Sequence, residues 1–152
     1  MIRAYGLAAL VVVADQAVKL ACSRLAAPVP LLEGVLRLTC VHNTGMAFSL
    51  LSGHPWLLGV VSALCIAAGM AALNHFRPGP LGRTGLALML GGAAGNMIDR
   101  LLRGYVIDMF EVLFVRFAVF NVADAALTVG TILTAASLLW RPEEWSEKHG
   151  ST

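Results

Sequence analysis

Asp124 is the residue of this sequence whose chemistry most needs an explanation. It stands three residues after Asn121 in VFNVADAALTVG, residues 119–130, and no charged residue follows between Ala125 and Trp140. A carboxylate at the start of so apolar a stretch is costly, since a charge within a bilayer costs about 2.5–3.5 kcal/mol on insertion scales. A helix N-terminus can stabilise the charge through its macrodipole. A structural role therefore stays open for Asp124 taken alone.

A second carboxylate, Asp108, lies in YVIDMF, within an otherwise apolar stretch. If Asp108 and Asp124 approach each other, both cannot ionise cheaply, and the two side chains share one proton. Such a pair supplies a general base that activates water and a general acid for the leaving amine. We therefore predict aspartic-protease chemistry, with Asp108 and Asp124 as the catalytic pair.

A charged pair and a turn accompany the two aspartates. Asp15 and Lys19 interrupt the first apolar stretch four residues apart, so they share a helix face and can form an ion pair. This pair is either structural or orients a group in the site. In NTGMAFS, residues 43–49, Asn43 and Gly45 predict a turn after a strand. The Asn43 amide is a candidate for contacting a substrate's backbone.

A further polar group lies in GGAAGNMIDR, residues 91–100. Asn96 precedes Asp99 by three residues and Arg100 by four, so it shares a helix face with both. A buried asparagine needs hydrogen-bond partners, which predicts a polar cluster here. The structural interpretation is a helix end with an Asp99–Arg100 pair. The functional interpretation is that Asn96 and Asn121 are active-site amides, able to hold a peptide backbone extended.

Other catalytic classes find less support in the sequence. There is no HExxH motif, and the four histidines have no ligand spacing, which argues against a metalloprotease. A GxSxG motif and a glycine-rich nucleotide loop are also missing. A dyad of Ser49 and Lys19 is conceivable, but Ser49 has no histidine partner at a recognisable spacing, and the dyad leaves Asp108 and Asp124 unexplained. We therefore predict neither a metal nor a cofactor.

The composition is that of a membrane protein. Of 152 residues, 58% are hydrophobic and 13% are charged, and the mean hydropathy is +0.76. An average soluble domain has about 25% charged residues. The length predicts a single domain, residues 1–152. A net charge of +2 without a basic run gives no indication of a nucleic-acid partner.

The three cysteines form no CxxC pair, and a Cys22–Cys40 bridge stays open.

Four stretches approach the length of a membrane span, which needs about 20 apolar residues. The fold class predicted is therefore an all-α polytopic membrane protein with four transmembrane helices and a small β-sheet. We interpret the first stretch as an uncleaved helix rather than a secretory signal. The third contains LGGAAG, which suits close helix–helix approach. The predicted spans are residues 5–25, 56–73, 81–101 and 122–140, followed by a polar tail, residues 141–152.

An even number of spans places residues 26–54 and 102–120 on the same side of the membrane. VLRLTCVHN, residues 35–43, alternates with a period near two, which indicates a strand. Residues 105–120 are rich in β-branched and aromatic residues and suggest a strand or a short interfacial element. The two segments can pair into a small sheet on the membrane surface. Arginine and lysine are divided equally between the two sides, so the orientation stays open.

Five blocks in the same order resemble the bacterial lipoprotein signal peptidase (signal peptidase II) family. The resemblance implies a four-helix inner-membrane peptidase with cytoplasmic termini, in which a periplasmic sheet cradles the substrate. This sequence differs from the family's pattern at Met109, where an aromatic residue is usual, and in the compact connection from Asp108 to Asn121. The blocks are DQAVK (15–19), NTGMAFS (43–49), GGAAGNMIDR (91–100), VIDMF (106–110) and FNVAD (120–124).

The same resemblance implies the reaction and the site. The family cleaves lipoprotein precursors just before a diacylglyceryl-modified cysteine, and its catalytic aspartates correspond to Asp108 and Asp124. The expected partners are such precursors and membrane lipid, and the expected state is a monomer. The implied supporting residues are Asp15, Lys19, Asn43, Asn96, Asp99, Arg100 and Asn121, with Gly45 in the NTG block.

Two interpretations from other classes stay open. The charged residues could form a proton relay in a small transporter, which would involve Asp15, Lys19, Asp99 and Asp124. Alternatively, the polar cluster could only hold the helices of a membrane scaffold together. The asparagines and strand signals lie on one side of the membrane, as a peptide-binding site requires, and this favours the peptidase.

Overall fold

The computed structural model describes residues 1–45 and 55–145. This part of the chain forms four long helices: α1 (Ile2–Cys22), α2 (Pro55–Phe76), α3 (Pro80–Arg103) and α4 (Val122–Trp140). Each lies within a few residues of a predicted span. By length and composition, α1, α2 and α4 are apolar enough to cross a membrane. Helix α3 carries arginines near both ends and Asp99 between them, so its role as a fourth span stays a prediction.

Helix α3 is the centre of the fold and packs against all three other helices. Its small residues let its backbone approach α1 and α4 closely, as the glycine-rich sequence predicts. A Cβ atom at Gly92 would collide with the carbonyl oxygen of Ala123, and one at Gly95 would lie 2.6 Å from Asp15 Oδ2. The helix ends where Gly104 adopts a left-handed conformation (φ 76°), which glycine adopts at low cost.

Three antiparallel strands form one sheet in the order β1-β2-β3. They are β1 (Val29–Leu32), β2 (Leu36–Asn43) and β3 (Val106–Val112). The predicted pairing of the two connections is thereby confirmed, because β2 precedes α2 and β3 follows α3. Strand β1 was not predicted. The pairing of β2 with β3 places Val41 opposite Asp108, so the candidate aspartate lies inside the sheet.

Strand β3 does not alternate between buried and exposed residues. Its first four residues are all buried, and Met109 is completely so. Ile107 and Met109 pack with Cys22 at the end of α1 in an apolar cluster. Helices α1 and α3 end beside the sheet and α4 begins there, so the two connections lie at the same end of the helices. The start of α4 is tied to β3 by backbone hydrogen bonds in both directions between Phe110 and Phe120, of 2.8 and 3.1 Å.

At the opposite end, the beginning of the predicted polar tail is folded. Residues Pro142–Trp145 form a short 3₁₀-helix. Trp145 donates a hydrogen bond from Nε1 to Ser137 Oγ over 3.0 Å and packs beside Phe76. The indole therefore fastens the segment after α4 against the end of α2. The rest of the tail lies outside the described residues.

The three cysteines are free thiols, so the Cys22–Cys40 bridge is not formed. Cys22 is buried, and its Sγ donates to the carbonyl oxygen of Thr39 over 3.1 Å. Cys40 and Cys65 are exposed.

Candidate active site

The two candidate catalytic aspartates lie on different elements and line the same cavity. Asp108 is in the middle of β3, and Asp124 is in the first turn of α4. The cavity has a volume of about 660 Å³ and reaches from the sheet into the space between α2 and α4. Its apolar walls include Leu58, Val61 and Leu127. The fold therefore places two carboxyl groups in the lining of one largely apolar cavity.

Asp108 is almost completely buried, with 2% of its surface exposed. Each of its carboxyl oxygens accepts a hydrogen bond from an amide side chain. Asn43 Nδ2 donates to Oδ2 over 2.9 Å, and Asn121 Nδ2 donates to Oδ1 over 2.7 Å. Asn43 is itself oriented by a turn, because its Oδ1 accepts a hydrogen bond from the backbone N–H of Gly45 over 2.9 Å.

Asp124 is half-buried and also accepts a hydrogen bond on each carboxyl oxygen. Asn96 Nδ2 donates to Oδ1 over 2.7 Å, and the backbone N–H of Asn121 donates to Oδ2 over 3.2 Å. In return, the Asp124 N–H donates to Asn121 Oδ1 over 2.8 Å, which completes a capping box at the start of α4. The spacing of three residues between Asn121 and Asp124 is thus the spacing of a helix cap.

Asn96 and Asn121 join the two carboxyl groups through a connected network. Asn121 Nδ2 donates to Asn96 Oδ1 over 3.1 Å in addition to its bond with Asp108. Asn96 Oδ1 also accepts from Lys19 Nζ over 3.1 Å. With two donors facing its oxygen, the Asn96 side chain must direct its NH₂ group towards Asp124. The orientation of this amide is therefore fixed by its neighbours.

A buried charged cluster lies behind the asparagines. Lys19 Nζ is 2.7 Å from Asp15 Oδ2 and 2.9 Å from Asp99 Oδ2, and all three side chains are completely buried. The predicted Asp15–Lys19 pair is confirmed. Asp15 Oδ1 also accepts from the backbone N–H of Ala123 over 2.9 Å. The cluster thus connects α1, α3 and the start of α4.

The structural interpretation of this segment, an Asp99–Arg100 pair, is wrong. Asp99 Oδ1 instead pairs with Arg103, one helical turn later, and accepts from Gln16 Nε2 over 3.2 Å. Consecutive residues on a helix point in different directions, whereas residues four apart are neighbours. Arg103 and Gln16 were not recognised as part of the cluster, although the i, i+4 spacing from Asp99 would have indicated Arg103.

Arg100 lines the cavity rather than the charged cluster. Its Nη2 donates to the carbonyl oxygen of Gly45 over 3.3 Å. Arg100 therefore connects α3 to the turn that orients Asn43. The candidate nucleophile Ser49 lies outside the described residues, and Lys19 is engaged by Asp15, Asp99 and Asn96.

The pKa of the Asp108 carboxyl is raised to about 6, chiefly because burial removes the charged form from contact with water. The negative charge of Asp124 contributes to this increase, whereas the hydrogen bonds from Asn43 and Asn121 oppose it. A carboxyl group that titrates near neutral pH is suited to proton transfer. Within the described residues, no group of three or more histidine, cysteine, aspartate and glutamate side chains is arranged to hold a metal ion.

A comparison of the sequence with models of known protein families identifies one family that contains these site residues. The family model for signal peptidase (SPase) II matches residues 7–140. This range includes both aspartates, the three asparagines of the site and the charged cluster. The chain belongs to the signal peptidase II family.

Curated members of the signal peptidase II family align along most of the chain. The lipoprotein signal peptidase of Lactiplantibacillus plantarum is 39% identical over 84% of this chain and 88% of its own length. That of Geobacillus kaustophilus is 38% identical over 94% of this chain and 98% of its own length.

Two solved structures, each described as a bacterial membrane enzyme, have the same fold as this signal peptidase II homologue. One is 28% identical with a TM-score of 0.81, and the alignment covers 98% of this chain and 94% of that one. The other is 27% identical with a TM-score of 0.79, covering 93% and 95%. The chain is therefore a membrane protein of a bacterial peptidase family.

Proposed function

We propose that this protein is a membrane aspartic endopeptidase that removes signal peptides from prolipoproteins. It hydrolyses the peptide bond before a diacylglyceryl-modified cysteine. The observation that carries the proposal is the pair Asp108 and Asp124, bridged by Asn121, in the lining of an apolar cavity. The relatives named lipoprotein signal peptidase support the choice of substrate.

The pair acts with one shared proton. One carboxylate takes a proton from a water molecule, whose oxygen attacks the carbonyl carbon of the residue before the cysteine. The protonated carboxyl hydrogen-bonds the carbonyl oxygen as negative charge develops there. The C–N bond then breaks, and the cysteine nitrogen receives a proton from the pair as it leaves. A pKa of about 6 for Asp108 favours retention of one proton in this buried site.

The amide side chains keep the carboxyl groups in place during these transfers. Each oxygen of Asp108 and Asp124 accepts one N–H donor, so rotation of either carboxyl would break a hydrogen bond. Such preorganisation aligns the pair with the attacked carbonyl group. Lys19, Asp15 and Asp99 act through Asn96 and are positioning residues.

The membrane arrangement follows from the substrate. Helix α3 is proposed as the fourth span, with both termini in the cytoplasm and the sheet at the outer face of the bacterial inner membrane. The acyl chains of the substrate lie along the apolar cavity walls between α2 and α4, and the scissile bond reaches the two aspartates beside the sheet. The protein is proposed to act as a monomer.

The test is cleavage of a synthetic diacylglyceryl-cysteine precursor by the full chain in nanodiscs. Wild type is compared with Asp108→Asn, Asp124→Asn and the matched control Glu111→Gln, which removes an acid three residues from Asp108 on the same strand. We expect cleavage before the cysteine by wild type and by the control only. Thermal melting should show that all four proteins are folded. Cleavage by either aspartate variant, or an intact precursor after incubation with folded wild type, would refute the proposal.

A further inference from the structure

A second cavity of about 470 Å³ meets the first one at Asp108. Asn43, Asp108 and the segment 117–119 line both cavities. Asp108 therefore belongs to the lining of both spaces, which adjoin each other at this residue. A peptide cleaved at this point has two halves to accommodate, one before and one after the broken bond.

The two cavities differ in chemistry. The first extends between α2 and α4 and has mainly aliphatic walls, which suits a lipid-modified cysteine and an apolar signal peptide. The second is bordered by the end of β2 and by the segment after β3, where His42, Thr44 and Arg116 are exposed. Polar side chains at an exposed face suit a hydrophilic chain that leaves the membrane.

Arg116 is a charged residue that can form an ion pair with a bound carboxylate. A guanidinium group presents several N–H donors in a fork that matches the two oxygens of a carboxylate. Among the residues that the structure describes, it has no ion pair, whereas Arg37 is paired with Glu111 over 2.7 Å. Asp108, the acidic residue of the same cavity, has both oxygens occupied by Asn43 and Asn121. The side chain that best complements Arg116 is therefore an external carboxylate.

We propose that the second cavity binds the residues that follow the modified cysteine, and that Arg116 favours precursors with an acidic side chain there. The inference rests on the proposed function and specifies its substrate class. The modified cysteine is counted as position 1. The Asp108 carboxylate would repel an acidic side chain placed directly beside it, so we expect the preferred acidic residue further along the substrate, among positions 2 to 4.

An alternative role for Arg116 is contact with lipid phosphate groups. Phe114, Val115 and Phe117 beside it are exposed hydrophobic residues, and a sequence of this kind suits a membrane interface. Contact with lipid would affect all precursors equally, whatever their sequence. The two roles are therefore distinguished by the dependence of cleavage on substrate charge.

The experiment measures kcat/KM for lipidated precursors that carry aspartate, asparagine or lysine at position 2, 3 or 4. Wild type is compared with Arg116→Gln, Arg116→Lys and Arg116→Glu, and with Arg24→Gln as an exposed control at the end of α1. At one position we expect wild type to favour aspartate over lysine by about two- to five-fold, the range of an exposed ion pair. Arg116→Gln should abolish the preference, Arg116→Lys should keep part of it, and Arg116→Glu should invert it. Arg24→Gln should leave it unchanged.

The outcomes separate the two proposals. A preference that follows the charge at residue 116 and weakens in high salt supports the inference. Equal cleavage of all precursors by wild type overturns it while leaving the peptidase proposal intact. A uniform loss with Arg116→Gln that depends on anionic lipid assigns Arg116 to the membrane and also overturns it. Failure of wild type to cleave any precursor overturns both.

Discussion

Asn121 Nδ2 donates a hydrogen bond to Asp108 Oδ1 over 2.7 Å, although Asn121 is the N-cap residue of the helix that carries Asp124. Its Oδ1 is occupied by the Asp124 N–H, so only its NH₂ group is directed towards Asp108. The same side chain thus begins α4 and fixes the spacing of the two carboxyl groups. Helix capping and catalytic geometry are coupled in one residue, and substitutions can separate them.

The first prediction uses two substitutions at Asn121. Asn121→Ala removes both the cap and the bond to Asp108, and loss of an N-cap costs about 1 kcal/mol. Asn121→Ser restores a capping oxygen but is too short to reach Asp108. We expect both variants to lose about 100-fold in kcat, as misplacement of a reacting group does, while Asn121→Ser keeps the thermal midpoint of wild type. A serine variant with wild-type turnover would show that the Asp108 contact is dispensable.

The second prediction concerns the charge of Lys19. This ammonium group is the buried counter-charge of Asp15 and Asp99. Lys19→Met leaves these carboxylates without it, and breaking a buried ion pair costs about 3–5 kcal/mol. We therefore expect a large fall in the thermal midpoint in detergent. Arg24→Gln, an exposed substitution just beyond the same helix, should change stability by less than about 0.5 kcal/mol.

A double variant tests the cause of that loss. Asp15→Asn combined with Lys19→Met removes one of the uncompensated charges, and it should recover part of the stability lost by Lys19→Met alone. If the double variant melts below the single one, loss of packing rather than unpaired charge is responsible.

The sequence predicted the helices and the two long strands because their signals are local. Apolar length defines a span, and the alternation in residues 35–43 defines β2. Strand β1 was missed because it has only four residues, Val29–Leu32, with a proline among them; its pairing with β2 is a tertiary effect. The structural interpretation paired Asp99 with Arg100, its neighbour in sequence, whereas the helical repeat places Arg103 beside it.

Much of the candidate site could be named from residue types, but its connections could not. A buried asparagine needs partners, and this rule placed Asn96 in a polar cluster, whereas Asn121 was identified from its position three residues before Asp124. Which oxygen each amide contacts depends on how α3 and α4 approach, and that depends on small residues such as Gly92. The second cavity around Arg116 had no sequence signal, since it is formed by the end of β2 and the segment after β3.

The third prediction concerns pH. The pair needs one proton for the leaving amine, and Asp108 loses its proton as the pH rises through about 6. We therefore expect kcat/KM of wild type to fall on the alkaline side with an apparent pKa near this value. The hydrogen bond from Asn43 stabilises the carboxylate and lowers this pKa. Asn43→Ala should raise the pKa and move the alkaline limb to higher pH, while the maximal rate falls.

The control for the pH profile is Cys40→Ala, an exposed residue on the same strand. It should keep both the maximal rate and the alkaline limb of wild type. A limb that moves to lower pH in Asn43→Ala would contradict the assigned effect of the hydrogen bond.

The last prediction compares two glycines in helices. A Cβ at Gly95 would lie 2.6 Å from Asp15 Oδ2, whereas a Cβ at Gly6 of α1 would have nothing within 4 Å. Alanine is favoured over glycine in a helix by about 0.8–1.0 kcal/mol, so Gly6→Ala should raise the thermal midpoint slightly. Gly95→Ala must displace the Asp15 carboxylate, which is ion-paired with Lys19, and overpacking costs about 1–3 kcal/mol. Because Asp15 also accepts the Ala123 N–H at the start of α4, Gly95→Ala should lower peptidase activity as well. If Gly95→Ala melts at or above the wild-type temperature, the close contact between Gly95 and the Asp15 carboxylate does not stabilise the site.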